Sequence, residues 1–405
     1  MGVVRLIPIY SVLLSGVLVF GDNKISFTDA VNKLIPENPL ISAIDSEIKG
    51  LDTLRSKSKQ HLDPNVSTSV DCIGLNEFGF GIEQTFERGI KQRIRKELFG
   101  KKIDLKKMEK IRLEHVLQIE ASRRYLPVLF GLQKVQIVDS IIAESLILDT
   151  LIQRYVDAGA IMHTDALKAK LDLEKYRMQR FDLMMDVERA RAHFCSLSPA
   201  DSALLMSVDA SINENFVLPD IKQIAANLEK SYGYEIVNTE CTIIDTEKKL
   251  VKAEAKKDLT IGLEYTRNRT ERENSITAEV SIDLPLFRNV DREQADLEHQ
   301  KNALRSRYKS EMTTALGEIS NIFRQISMLE KKNKMICDTI IPSLIKQYNT
   351  YVSIYKEGKG SFRDISEIRM ELLDYKMELL DNEMNSTMLA IDAAEKSGIK
   401  PEVLK

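Results

Sequence analysis

Two stretches of about 70 residues each, 88 to 157 and 288 to 357, contain almost nothing that breaks a helix; Pro127, Pro342 and a few glycines are the exceptions. Wound as single helices rising 1.5 Å per residue, they would reach ~105 Å, far longer than one globular domain needs. A helix of that length needs other helices packed along its side. Each stretch ends at a glycine turn and is followed by a second helical pattern. Gly159 precedes Asp165 in YVDAGAIMHTDAL (155–167), and Gly358 precedes Asp364 in YKEGKGSFRDISEI (355–368), six residues on in both cases. Met312, Leu316, Ile319, Phe323 and Ile326 recur at intervals of four and three, as do Ile365, Ile368, Leu372, Tyr375 and Leu379. That spacing is a seven-residue seam between helices. Val135, Val138, Ile142, Leu148, Leu151 and Tyr155 make a looser one. The expectation is two long antiparallel coiled hairpins.

The chain also repeats itself. The two glycine turns lie 199 residues apart, IEQTFERG (82–89) matches IDLPLFRN (282–289) at an offset of 200, and PNVSTSVD (64–71) matches KDLTIGLE (257–264) at 193. The reading is a tandem duplication: a first unit over 22–196, a connecting segment over 197–219, a second unit over 220–397 and a tail over 398–405. Each unit runs from a helix (about 38–60, then about 220–256) through a strand pair to the long hairpin. Strands are expected at 65–73, 77–86, 258–266 and 275–284. All four alternate in step two with the same sense, so each has one apolar and one polar face. Val66, Val70, Phe78, Phe80, Ile82, Leu263, Val280 and Ile282 fall on the apolar side. Asp71, Glu83, Glu264, Glu279 and Asp283 fall on the polar side. Nine or ten residues is the length of a tilted strand that crosses a bilayer.

Residues 1–21, MGVVRLIPIYSVLLSGVLVFG, place Arg5 before an apolar run and end on a small residue, the pattern of an export signal cleaved before Asp22. No cysteine follows at once, which argues against a lipid anchor. No other segment has the ~18 apolar residues of a membrane helix, so a membrane crossing would be made by strands. The chain carries 58 basic and 61 acidic residues, interspersed, for a net charge of -3, which becomes about -4 without the signal. There is no basic patch for nucleic acid. Cys72, Cys195, Cys241 and Cys337 show no paired spacing and read as small buried hydrophobes. His163, His193 and His299 lack metal-ligand spacing, and no catalytic constellation emerges. Neither an enzyme nor a cofactor is expected.

FTDAVNKLIPENPLISAIDSEIKG (27–50), with Asn38-Pro39, together with IEQTFERGIKQRI, IDLPLFRNVDREQADLEHQ and the two glycine turns, resembles the TolC-like outer-membrane efflux channels over about 25–395. The resemblance implies a mainly α fold with a small β part. Long coiled hairpins would form an α-barrel, and four strands per chain would join a trimeric twelve-stranded transmembrane β-barrel. It implies a homotrimer in the outer membrane of a Gram-negative bacterium with a long periplasmic portion. Its partners would be outer-membrane lipid, a periplasmic adaptor and an inner-membrane pump of the RND or ABC type, with no nucleic acid. The function implied is a passive exit duct for small molecules or metal ions, leaning toward the heavy-metal branch. Type I protein secretion is the alternative, and a soluble periplasmic coiled-coil adaptor the rival from another class.

By position after the glycine, the resemblance places Asp364 and Glu367 at the gate, with Tyr355 and Asp165 in a closing network. The adaptor would meet the tips around Gly159, Gly358 and Gly360. The sequence departs from the family in one respect: the arginine expected two residues after Gly358 is Gly360, and the nearest arginine is Arg363. Without the resemblance, Asp364 and Glu367 also read as a solvated helix start.

Overall fold

A computed structural model describes residues 31–32, 35–60, 62–70, 77–159, 161–197, 231–282 and 289–398. The signal, most of the connecting segment, most of the tail, Asp71, Cys72 and Asp283 lie outside the described residues. In chain order the elements are α1 (Pro39–Lys57), β1 (Asn65–Val70), β2 (Glu77–Phe86), α2 (Gly89–Asp157), α3 (His163–Cys195), α4 (Tyr232–Glu254), β3 (Leu259–Asn268), β4 (Glu273–Ile282), α5 (Val290–Met335), a π turn (Ile336–Ile340), α6 (Ile341–Lys356) and α7 (Phe362–Ser397). The fold is mainly helical with one small sheet.

The first long stretch is one helix of 69 residues that contains Pro127. A proline inside a helix costs about 3 kcal/mol, for a lost hydrogen bond and a clash with the preceding turn. Here Tyr125, Leu126, Val128, Leu129 and Phe130 around it are all buried in one cluster with Phe194 and Ile391, and that packing outweighs the cost. The second stretch is not one α-helix. It switches to a π turn at Ile336–Ile340 before α6 resumes. Pro342 offers no N–H to the Asp338 carbonyl and its ring crowds that group, so the turn before it widens.

The helices and sheet fall into two compact units, with α2 and α5 contributing to both. Unit 2 (39–112 and 232–312) holds the sheet with α1 and α4. Lys110 pairs with Asp45 at 2.7 Å and Lys301 with Asp245 at 2.7 Å, tying α1 to α2 and α4 to α5. Unit 1, including 113–231 and 313–405, is the helical hairpin region. Arg180 of α3 reaches Asp139 of α2 at 2.6 Å, Lys332 of α5 reaches Glu378 of α7 at 2.6 Å, and Lys134 of α2 reaches Asp381 of α7. Both hairpins are antiparallel.

The buried stripes differ by one step from the strict heptad. Ile319, Ile322 and Ile326 are buried, rather than Phe323, and Ile365, Ile368 and Leu373, rather than Leu372. On α2 the buried positions include Ile141 and Ile152. A helix with 3.6 residues per turn drifts off a 3.5-residue repeat, and the buried line drifts with it. Cys195 and Cys241 are buried, but Cys337 is exposed, because it lies on the outer side of the π turn whose Ile336 points inward.

Candidate pore wall and hairpin tip

The four strands pair in the order β1-β2-β3-β4, all antiparallel. Their register aligns the alternation across the sheet. One row reads Asn65, Glu83, Gly262 and Glu279, the next Ser67, Gly81, Glu264 and Thr277, and a third Ser69, Gly79, Thr266 and Ser275. Glu83, Glu264 and Glu279 therefore share one polar face. The opposite face carries Val66, Val70, Phe78, Phe80, Ile82, Phe86, Leu259, Ile261, Leu263, Tyr265, Ile276, Val280 and Ile282, every one of them exposed in the chain. A soluble sheet buries such a face. β1 and β4 are edge strands, so the sheet has two open edges.

Glycines make room for the acids. A Cβ on Gly79 would collide with Ser69 Oγ and lie 3.0 Å from Glu264 Oε1, and one on Gly262 would lie 3.2 Å from Glu83 Cγ. The glutamates thus lie over glycines of the neighbouring strand. Ser69 Oγ donates to Glu264 Oε1 at 3.3 Å, and the Thr85 and Thr260 hydroxyls meet at 2.9 Å.

At the other site, in unit 1, the two hairpins turn at Gly159 (φ +68°) and at Gly358 and Gly360 (φ +74° and +93°). These are left-handed conformations that favour glycine. Ser361 then caps α7, its Oγ accepting from Arg363 N at 3.1 Å. Behind the turns Tyr355, Phe362 and Ile365 are buried with Leu148, Ile152, Ala166 and Ala169. The Tyr355 hydroxyl donates to Asp165 Oδ2 at 3.2 Å, joining α6 to α3. Burial first, and then the Asp165 carboxylate, push the Tyr355 phenol well above its ordinary range. Asp364 is half-buried in the first turn of α7 and Glu367 is exposed one turn on. Glu367 is not bare: Arg363 Nε donates to its Oε1 at 2.6 Å. Asp364 adds to the field at Arg363, whose guanidinium is held even more firmly protonated, mainly by Glu367.

Several polar links lie beyond the sequence reading. Arg369 of α7 is only 4% exposed, its Nη1 donates to Ser145 Oγ of α2 at 2.6 Å, and its guanidinium sits 5.9 Å from the Tyr348 ring centre. Ser366 Oγ donates to Asp172 of α3. Tyr176 is buried nearby, its phenol pushed up to about 12 by burial, against the pull of Arg369. In unit 2, Lys91 is 4% exposed and pairs with Asp258 at 2.6 Å, while Arg88 donates to the Lys257 carbonyl at 3.0 Å and Arg95 grips Glu87 at 3.2 Å. The one signal for this corner was charge packed around the end of β2 and the start of β3. The i, i+4 pair of Arg363 and Glu367 was legible from spacing alone.

Among the described residues no group of His, Cys, Asp and Glu could hold a metal ion, and no helix is long and apolar enough to cross a membrane. No family model and no curated protein matches the sequence. Solved structures do. The outer membrane protein VceC from Vibrio cholerae superposes with a TM-score of 0.69 at 11% identity, covering 92% of this chain and 96% of that one. The outer-membrane channel OprN gives 0.68 at 15% identity, covering 92% and 91%. The CmeC outer membrane channel of Campylobacter jejuni gives 0.66 at 12% identity, covering 95% and 90%.

Proposed function

We propose that this chain, which has the fold of the TolC-like outer-membrane channels, is one of three identical subunits of a passive outer-membrane exit duct for small molecules or metal ions. The observation that carries this is the sheet. Thirteen large apolar side chains are exposed on one face, while the other is polar throughout. Water does not tolerate the first face and lipid does not tolerate the open edges of β1 and β4. Closing three sheets edge to edge into twelve strands removes both problems, with the apolar face to lipid and Glu83, Glu264 and Glu279 to a wet lumen. Asp71 and Asp283 fall on the same side by sequence alternation.

A second apolar stripe supports association of copies. Leu167, Leu171, Met178, Phe181 and Met185 stand 51–67% exposed along α3 at near-heptad spacing. The tips at Gly159, Gly358 and Gly360 would meet a periplasmic adaptor that connects to an inner-membrane pump. The gate would be formed by Asp364 and Glu367, steadied by Tyr355 and Asp165. The Arg363 guanidinium offsets part of the charge of these two carboxylates, so the ring favours cations less strongly than bare acids would.

The test is extraction and reconstitution. The duct reading expects detergent-dependent recovery from outer membranes as a trimer and a conducting pore in planar bilayers. Release by osmotic shock as a soluble protein would instead favour the coiled-coil adaptor.

A further inference from the structure

On the apolar side of the sheet, the row nearest α2 runs level across three strands. Phe86 of β2 faces Leu259 of β3, which faces Ile282 of β4, and they are 44%, 39% and 51% exposed. Leu62, also exposed, is held close by, its carbonyl accepting from Gln84 Nε2 at 2.7 Å. Two residues beyond that row, the alternation brings Arg88 and Lys257 to the same side. The two chain segments are still side by side there: Arg88 Nε donates to the Lys257 carbonyl at 3.0 Å and Arg88 N to Asp258 Oδ1 at 3.3 Å.

The charges of this corner are sorted by face. Glu87 and Asp258 fall on the polar side by the same alternation, and each is taken by a cation of α2: Arg95 holds Glu87 at 3.2 Å and Lys91 holds Asp258 at 2.6 Å. Arg88 and Lys257 are exposed and join no ion pair among the described residues. Two cations therefore stand directly past the last apolar row with no acid to neutralise them. At the far end of the same face Arg267 of β3 lies beside Phe78, exposed and likewise outside any ion pair among the described residues. Lys257 and Arg267 are ten residues apart, roughly 33 Å along a strand and about 25 Å along a membrane normal at a tilt of about 40°. That is the height of the apolar band of a membrane barrel, so the cations fall where lipid headgroups begin.

We propose, on the reading that this face meets lipid, that Arg88 and Lys257 form a binding site for the phosphate of an anionic phospholipid in the leaflet facing the periplasm. The Arg88 guanidinium keeps both Nη groups for phosphate oxygens, and the Lys257 ammonium adds a point charge. Leu62, Phe86 and Leu259 beside them receive the first acyl methylenes. A zwitterionic lipid brings its own ammonium and gains less, so a headgroup with net negative charge, such as phosphatidylglycerol, is the class this pair selects.

The chain has no tryptophan, so Phe86→Trp creates a single fluorescent reporter beside the site. The full chain carrying it is reconstituted into phosphatidylcholine vesicles in which about one lipid in ten is brominated, either phosphatidylglycerol or phosphatidylcholine. A cation at this depth favours an anionic headgroup by up to roughly fivefold, so brominated phosphatidylglycerol should quench as though enriched at least about threefold over its mole fraction. High salt should reduce the enrichment. Adding Arg88→Gln and Lys257→Gln should abolish it, while Arg88→Lys with Lys257→Arg should keep it. Quenching by brominated phosphatidylcholine should be the same in every variant, as expected if each is still inserted. Equal quenching by the two lipids, or enrichment that survives the double Gln substitution, would overturn the headgroup site and leave the duct standing. Absence of quenching by either lipid would refute the lipid-facing sheet itself.

Discussion

Leu263→Arg separates a sheet that faces lipid from one that faces water. Leu263 lies midway along β3, between Ile82 on β2 and Ala278 on β4, and is 53% exposed on the apolar face. If that face meets acyl chains, an arginine there costs about 2–4 kcal/mol per copy, or roughly 30- to 1,000-fold in the folding equilibrium. If it meets water, a substitution at so exposed a position stays within about 0.5 kcal/mol, close to twofold. The matched control is Thr277→Arg, on the polar face of β4 beside Glu264, where the new charge would be solvated and near a carboxylate. The assay is the yield of heat-resistant trimer after folding into lipid vesicles from urea. Leu263→Arg should lose at least about 30-fold and Thr277→Arg no more than about threefold. Equal losses in the two variants would refute the membrane orientation of the sheet, and with it the duct.

Replacing Asp364 and Glu367 together by Ala should raise single-channel conductance and shift selectivity toward anions, since Arg363 would remain; unchanged conductance and cation block would remove the gate proposal. Labelling from the lipid phase should modify cysteines placed at Val280 and Ile282 and spare one at Glu279, and the reverse pattern would reject the assigned faces. Lys91→Met should lower the denaturant midpoint by the equivalent of about 2–3 kcal/mol, somewhat below the 3–5 of a fully buried broken pair because Asp258 keeps some solvent; no change would mean the corner pair is only a surface contact. In alkali, the raised phenol of Tyr176 contributes stability below its ordinary 10.0 that is lost as pH climbs toward about 12, so Tyr176→Phe should flatten that part of the unfolding curve.

The long helices, glycine tips and alternating strands were legible because each is a local property. Apolar spacing marks a helix face, only a residue tolerant of positive φ serves at Gly159 or Gly358, and step-two alternation marks a strand. The π turn was not legible, because Pro342 alone does not say whether a helix will break, kink or widen. Arg369 and Lys91 look like ordinary solvated cations in sequence. Their burial depends on Ser145 and Tyr348 in one case and on Asp258 in the other, all from distant elements.

The sequence by itself determined which face of every strand is apolar and where each helix turns back, because those depend on neighbours a few bonds away. Only the tertiary structure decided that β2, β3 and β4 bring Glu83, Glu264 and Glu279 to one side over glycines and that Tyr355 meets Asp165. Such pairings join residues separated by tens to hundreds of positions, and chain spacing does not encode which of many possible partners packing will select.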